Sequence, residues 1–451
     1  MSTLDHDQDA PMTESRRSLL RKALFGAGLW GLRSLATGLP VSVLMNPRRA
    51  MAQSCPTPSK AQFLIFSTSG NGDPMNGNVP GTYVDASIVH PLDPQMAPTS
   101  MMLGGKSYTA AAPWAAMPAS TLARTCFFHH GTYTVVHPDE RKVLQMMGVT
   151  YDNEMLVSLL SKQLAPCLGT IQQEPVAVAN GGASETIFYQ GRPQPMLNPT
   201  ALATVLTQPT GPLANLQSLR DSDLNRLNAF FKTQGNTAQK DFIDRYATSQ
   251  TQARAISQNL LSTLAGLTDN SPDSQITAAI ALFQMKVTPV VTVHIPFGGD
   301  NHSDTDLAIE TTQHLSGIAT INNMMTKLQA AGLQDQVSFL SLNVFGRTMN
   351  VARKGQNGRD HHGDHHCALM IGKPFASSVI GGVESANNDF RAQSINSSTG
   401  AGVASGGGDV PFGETLGAMA KTIGAGLGVD RTFLDQNIST GKVIGPALSG
   451  A

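Results

Sequence analysis

The sequence predicts an α/β protein: a mostly parallel β-sheet with helices on both faces and a helical insertion. Three observations carry this. Short continuous apolar runs recur along the chain, as in strands buried on both faces. Several runs end in loops of small residues bearing an acid or a histidine, the usual make-up of ligand sites at the carboxyl edge of a parallel sheet. Between the runs lie polar–apolar stretches of helical period.

The chain of 451 residues opens on a polar segment followed by Ser15-Arg16-Arg17-Ser18-Leu19-Leu20. Paired arginines before a leucine pair mark a twin-arginine export signal. A stretch rich in Ala, Gly and Leu follows, and Ala50-Met51-Ala52 fits a small-x-small cleavage site. We expect a signal over 1–52 and a mature α/β domain over 53–451, periplasmic or secreted, with the twin-arginine translocase as its export partner. The mature part holds 24 basic and 28 acidic residues. It has no basic stripe, which excludes nucleic acid as an expected partner. It has no apolar segment long enough to span a bilayer.

The first expected strand, 61–66, leads into Ser67-Thr68-Ser69-Gly70-Asn71-Gly72-Asp73. Asp73 is therefore a candidate ligand, or an ordinary turn acid before proline. Residues 77–118 read as irregular covering loops. A second strand, 124–128, runs into His129-His130-Gly131-Thr132-Tyr133-Thr134, with His137 further on. Thr132 or Thr134 is a candidate nucleophile if a metal lowers its pKa. A helix over 152–163 and a strand over 175–179 follow. The stretch 199–285 reads as a helical insertion, with helices near 222–233 and 238–267.

Strand character returns over 287–295 and ends in Gly298-Gly299-Asp300-Asn301-His302. Asp300 and His302 are two apart, so extended backbone points both the same way. They are candidate ligands of one ion, and Ser303 or Asp304 is placed to cap the amphipathic helix expected over 305–331. The strand over 336–342 leads to Phe345-Gly346-Arg347-Thr348, where Arg347 can meet an anionic substrate or a structural carboxylate.

Most telling is Arg359-Asp360-His361-His362-Gly363-Asp364-His365-His366. Four imidazoles and two carboxylates stand in eight residues of a chain with only 14% charged residues. Gly363 and Asp364 disfavour helix, and an apolar run follows, so this is a loop feeding a strand. Asp360 and His361 can turn toward one ion; His365, which a helix would align with His361, is a further candidate. The four cysteines, Cys55, Cys126, Cys167 and Cys367, contain no Cys-x-x-Cys, which disfavours a thiolate zinc site. Cys367 is read as a buried strand residue or half of a disulfide, with a ligand role beside the histidine loop as the alternative. A short apolar piece over 379–383, a mobile loop over 384–408 and a helix over 412–426 complete the chain.

Taken in order, the leader, the glycine-rich loop with Asp73, Gly298-Gly299-Asp300-Asn301-His302, Phe345-Gly346-Arg347-Thr348 and Gly358-Arg359-Asp360-His361 resemble an exported family, family 1501 of domains of unknown function. That family is grouped in the alkaline phosphatase and sulfatase superfamily. The resemblance implies a three-layer sandwich like alkaline phosphatase, with Asp73, Asp300, His302, Asp360 and His361 holding one or two divalent ions. Zinc comes first; calcium, magnesium and manganese are alternatives. It implies a hydrolase of small anionic phosphate or sulfate esters. Two departures keep open an inactive metal-binding or assembly protein on the same fold. Gly299 stands where the family has Trp, and Asn343-Val344 stands where it often has Ser-Glu before Phe-Gly-Arg.

Overall fold

A computed structural model describes residues 58–178, 186–206, 214–237, 239–240, 243–244, 246–247, 267–350 and 358–450. The expected signal over 1–52 and most of the expected helix over 238–267 lie outside them.

Seven strands form the central sheet: β1 (Phe63–Ser67), β2 (Thr125–His130), β3 (Val176–Ala177), β4 (Val290–Val293), β5 (Val337–Ser341), β6 (His366–Ile371) and β7 (Ser378–Ile380). Their order is β7-β2-β6-β5-β1-β4-β3. Every neighbouring pair is parallel except those made by β6, which runs against both β2 and β5.

The apolar runs are continuous because the sheet is covered on both faces. Alternate residues divide between two cores. Phe63, Ile65, Phe127, Val291 and Phe339 pack with Ile276 and Phe283 of α2 (Pro272–Gln284) and Ile318 and Ile321 of α3 (Ala308–Ala330). Leu64, Phe66, Phe128, Val290 and Leu340 pack with Leu156 and Leu160 of α1 (Leu156–Leu168) and Met419 and Ile423 of α4 (Thr415–Gly426). Each large side chain so buried contributes about 1.5–3 kcal/mol. Emptying the site of Phe66, which is fully buried, by Phe66→Ala would cost about 3–5 kcal/mol.

Local signals set the helix ends. α1 stops at Gly169, which takes the left-handed conformation at φ +65°. Before α3, both carboxylate oxygens of Asp304 accept N–H groups, from Ile309 and Glu310, at 2.8 Å each, the capping role expected of Ser303 or Asp304.

The structure departs from the sequence reading in three places. Within 77–118, Pro98–Leu103 and Lys106–Ala111 form a hairpin closed by Gly104-Gly105, both at positive φ. Within 384–408, Val383–Ala386 pairs with Asp389–Ala392 around Asn387-Asn388, again both at positive φ. These two-residue turns match the twist of the strands they join. The stretch is therefore a built hairpin followed by the pair Ser394–Ile395 and Gly402–Val403, not a mobile loop. Third, helices Pro199–Leu206 and Ala214–Gln234 occupy the expected insertion, but α2, inside the same stretch, is a buried layer of the core.

No helix among the described residues is long and apolar enough to cross a membrane. Cys167 is disulfide-bonded. Cys126 and Cys367 are free, buried thiols on the adjacent strands β2 and β6. Burial pushes the Cys126 thiol up to about 12 and Cys367 well above the ordinary range.

Candidate metal centre

The loops after β1, β2, β4 and β5 all leave the carboxyl edge of the sheet. Because β6 runs the other way, its beginning lies where those strands end, with His366 opposite His130. The histidine-rich loop therefore enters the sheet at the same edge. One further pairing ties the loops together: Gly346–Arg347 runs antiparallel to His361–His362, with Arg347 opposite His361.

Here His137, Asp300 and His361 each offer a ligand atom, and these atoms lie within 4.8 Å of one another. Both imidazoles are aimed by the backbone. His137 Nδ1 is 2.6 Å from the Gly70 carbonyl oxygen, and His361 Nδ1 is 2.7 Å from that of Val135. A carbonyl only accepts, so each ring carries its proton on Nδ1 and presents the lone pair of Nε2. A backbone carbonyl on the far nitrogen is the usual means of orienting an imidazole ligand. Phe345 stacks on His361 at 4.4 Å and meets His137 edge-on at 5.0 Å, which fixes both ring planes. Burial holds the His361 pKa below the ordinary imidazole value, with Arg347, His137 and His302 adding to it. Neutral imidazole is the form that binds a cation.

Three more groups complete the ring. His302 Nε2 lies 2.7 Å from His361 Nε2 and 3.4 Å from Asp300 Oδ1, while its Nδ1 lies 3.4 Å from Asp360 Oδ1. Arg347, whose side chain is fully buried, donates through one terminal nitrogen to the Asn71 carbonyl at 2.5 Å. The same nitrogen is 3.2 Å from Asp300 Oδ1, and the other terminal nitrogen is 3.3 Å from His302 Nε2. Asp300 is exposed and His137 and His361 half-buried, so the group is open to solvent. Two nitrogens, one carboxylate and an open side make a donor set that suits a borderline divalent ion such as zinc.

A buried ion pair frames this ring. Glu310 on α3 takes Arg359 Nε at 2.7 Å and a terminal nitrogen at 3.0 Å, and also accepts from Asn78 at 2.6 Å and Asn301 at 2.8 Å. Arg359 donates further to the carbonyls of Thr348 and Val89. Asn301 lies between Asp300 and His302, and Arg359 precedes Asp360 and His361. By turning inward to Glu310, these two residues leave their neighbours facing outward to the ring. The geometry is near-ideal and the charges are matched, the condition under which burying an ion pair is tolerable.

Four of the five remaining histidines of the two sequence clusters form buried series, while the fifth, His362, meets the Phe390 carbonyl through Nε2. His129 Nε2 meets the Pro80 carbonyl at 2.9 Å, so it carries the proton. His129 Nδ1 then accepts from His365 Nε2 at 2.9 Å, and His365 Nδ1 accepts from Asn76 Nδ2 at 3.3 Å. Across the sheet, His130 Nδ1 donates to the Gly131 carbonyl at 2.9 Å and its Nε2 accepts from His366 Nδ1 at 3.2 Å. The Asn343 N–H closes that series on His366 Nε2 at 3.4 Å. All four rings are buried, neutral and engaged at both nitrogens.

Of the residues singled out in the sequence, the structure thus brings together Asp300, His302, Asp360, His361 and Arg347. Four lie elsewhere, among them Thr134, whose hydroxyl donates to Asp139 Oδ2 at 2.8 Å. His365 is spent in the buried series. Asp73 is buried, its two oxygens accepting the N–H groups of Met75 at 2.6 Å and Phe297 at 3.2 Å; burial pushes its carboxyl up to about 7. The Thr132 hydroxyl is buried and turned 3.5 Å from the Gly363 carbonyl, away from solvent. His137 is not among the ligands that the sequence singles out. Its only sequence signal is that it is the third imidazole after β2. No protein-family model matches the chain, and no curated protein matches it.

Proposed function

We propose that the protein is an exported, metal-dependent hydrolase of phosphate or sulfate esters, built on the arrangement of the alkaline phosphatase and sulfatase superfamily. The observation that carries this reading is the pair His137 and His361, each pinned at Nδ1 by a backbone carbonyl, beside Asp300. A divalent ion held there supplies Lewis acidity toward an ester oxygen and acidifies water. Two imidazole nitrogens favour zinc over calcium, magnesium or manganese.

The protein's own groups supply the rest. His137, Asp300 and His361 bind the ion. Arg347, kept charged by its intrinsic basicity but buried, borders the ion site through Asp300 and His302, so an ester oxygen meets its guanidinium by displacing one of these contacts. His302, between Asp360 and His361, holds both neighbours in place. The disulfide at Cys167 favours an oxidising compartment, in keeping with the leader.

A second reading, a metal-binding or assembly protein without turnover, is favoured by one observation: the Thr132 hydroxyl is buried and bonded within the fold. Metal analysis of the purified protein, joined to turnover of an aryl phosphate and an aryl sulfate, tests both. The hydrolase reading expects bound zinc and turnover, both lost in His361→Ala. Bound zinc without turnover of either ester leaves the second reading. A protein that retains no divalent ion sinks both.

A further inference from the structure

Arg347 is a side chain on a two-residue strand, so something must hold its backbone. The antiparallel pairing with His361–His362 does not. Arg347 sits opposite His361, and the neighbouring Thr348 N–H is the one that bonds across, to the Asp360 carbonyl at 3.0 Å. The N–H and C=O of Arg347 face the other way, into the protein, where unpaired backbone groups are costly.

Asn76 meets both. Its Oδ1 accepts the Arg347 N–H at 2.9 Å and its Nδ2 donates to the Arg347 carbonyl at 2.9 Å. One side-chain amide thus stands in for an adjoining strand. Asn76 is buried, in the turn Pro74–Gly77 that Asp73 caps. The approach is close: a Cβ at Gly346 would fall 2.8 Å from Asn76 Cγ and 2.2 Å from the His365 carbonyl oxygen. The amide is itself held, because Nδ2 also reaches His365 Nδ1 at 3.3 Å, and His365 rests on His129 and through it on Pro80. Reversing the amide would set Oδ1 against two acceptors, the Arg347 carbonyl and His365 Nδ1.

We propose that Asn76, backed by the buried pair His365–His129, is the positioning residue for Arg347, and so sets where the guanidinium meets an anion at the metal centre. The anion-binding part rests on the hydrolase reading. The positioning part does not. It gives His365 and His129 a role beside the centre without contact to it.

The test uses the full chain, zinc-loaded, as wild type, Asn76→Asp, His365→Gln, Arg347→Ala and the double variant Asn76→Asp with Arg347→Ala. Two quantities are read: the guanidinium Nε–H resonance of Arg347, assigned by its loss in Arg347→Ala, and affinity for inorganic phosphate. Aspartate keeps the acceptor and the shape but loses the donor. Asn76→Asp is expected to retain zinc, to shift the Arg347 resonance and speed its exchange, and to weaken phosphate about tenfold; in the Arg347→Ala background it adds nothing. His365→Gln moves both readouts the same way by a smaller factor. An unchanged Arg347 resonance in folded Asn76→Asp overturns the proposal, as does an equal loss of phosphate with and without Arg347. Should Asn76→Asp not melt cooperatively, His365→Gln, which leaves the amide in place, is read by the same two criteria. If zinc-loaded wild type binds no phosphate, the hydrolase reading falls, and the resonance alone decides the positioning claim.

Discussion

Two sets of imidazoles lie at the same sheet edge and come from the same sequence clusters, yet they differ in what their second nitrogen meets. In the inner set, His129, His130, His365 and His366, both nitrogens of every ring are engaged within the protein. In the outer set, His137 and His361 each spend Nδ1 on a carbonyl, and the other nitrogen faces the solvent-open group, where His361 Nε2 meets His302 Nε2 at 2.7 Å. Density of histidine therefore says little about metal binding. What marks a candidate ligand is an oriented ring whose second nitrogen faces the open group instead of the protein interior.

The largest effect is expected at the frame that both sets share. Removing the arginine of the buried Glu310–Arg359 pair, as in Arg359→Met, strands a buried carboxylate and should cost about 3–5 kcal/mol, read by urea unfolding. It should also loosen Asp300 and Asp360 together. Unaltered stability would mean that the pair does not hold the loops.

Next comes the contrast between the sets. His361→Ala should weaken zinc by about a hundredfold or more, whereas His365→Ala should keep zinc but lose about 1–3 kcal/mol of stability by orphaning His129 and Asn76. Equilibrium dialysis and chemical unfolding on both variants would expose an interchange of roles.

Acid tests the burial of the inner set. Burial holds His129 and His130 down to about 4, and His365 and His366 well below the ordinary value of 6.5. Between 6.5 and about 4 the unfolded chain therefore binds protons at these sites that the folded protein refuses. Stability should fall as pH drops through that window, by up to about 1.4 kcal/mol per pH unit for each such ring. Asp73, raised to about 7, and Glu174, also raised by burial, work in the opposite direction, but His90, His294 and His314, all held down by burial, add to the four inner rings. Unfolding of chelator-treated protein at pH 7.5 and pH 5 checks this; a flat profile would contradict neutral, buried rings.

The smallest effect is expected at Thr132. With its hydroxyl 3.5 Å from a carbonyl and out of solvent, Thr132→Val should change aryl-ester turnover by less than about twofold and stability by under about 1 kcal/mol. A large loss of turnover alone would restore it as a nucleophile.

Six of the seven strands were legible because each is a short apolar run buried in the sheet, whereas the half-buried edge strand β7 showed only as a short apolar piece over 379–383. Asp300 and His302 stood out as an acid and an imidazole two residues apart after a strand, but they meet at 3.4 Å through a bend and a turn with Asn301 directed inward, not through extended backbone. The direction of β6 was not legible, because nothing in His366–Ile371 says which way its neighbours run. His137 gains meaning only when Gly70 and Phe345 arrive beside it from distant segments. The same holds for Asn76, Glu310 and Arg359, whose partners are far away in the chain. The two missed hairpins are a different matter. Gly104-Gly105 and Asn387-Asn388 are local turn signals, and the small, polar composition around them masked the strands they join.

The free thiols of Cys126 and Cys367, on adjacent strands and with ionisation suppressed by burial, have a practical consequence. Only a thiolate reacts readily with an alkylating agent, so neither cysteine is labelled while the sheet is closed. Maleimide incorporation at these two positions consequently clocks separation of the central strands, and breathing of the surrounding loops goes unrecorded.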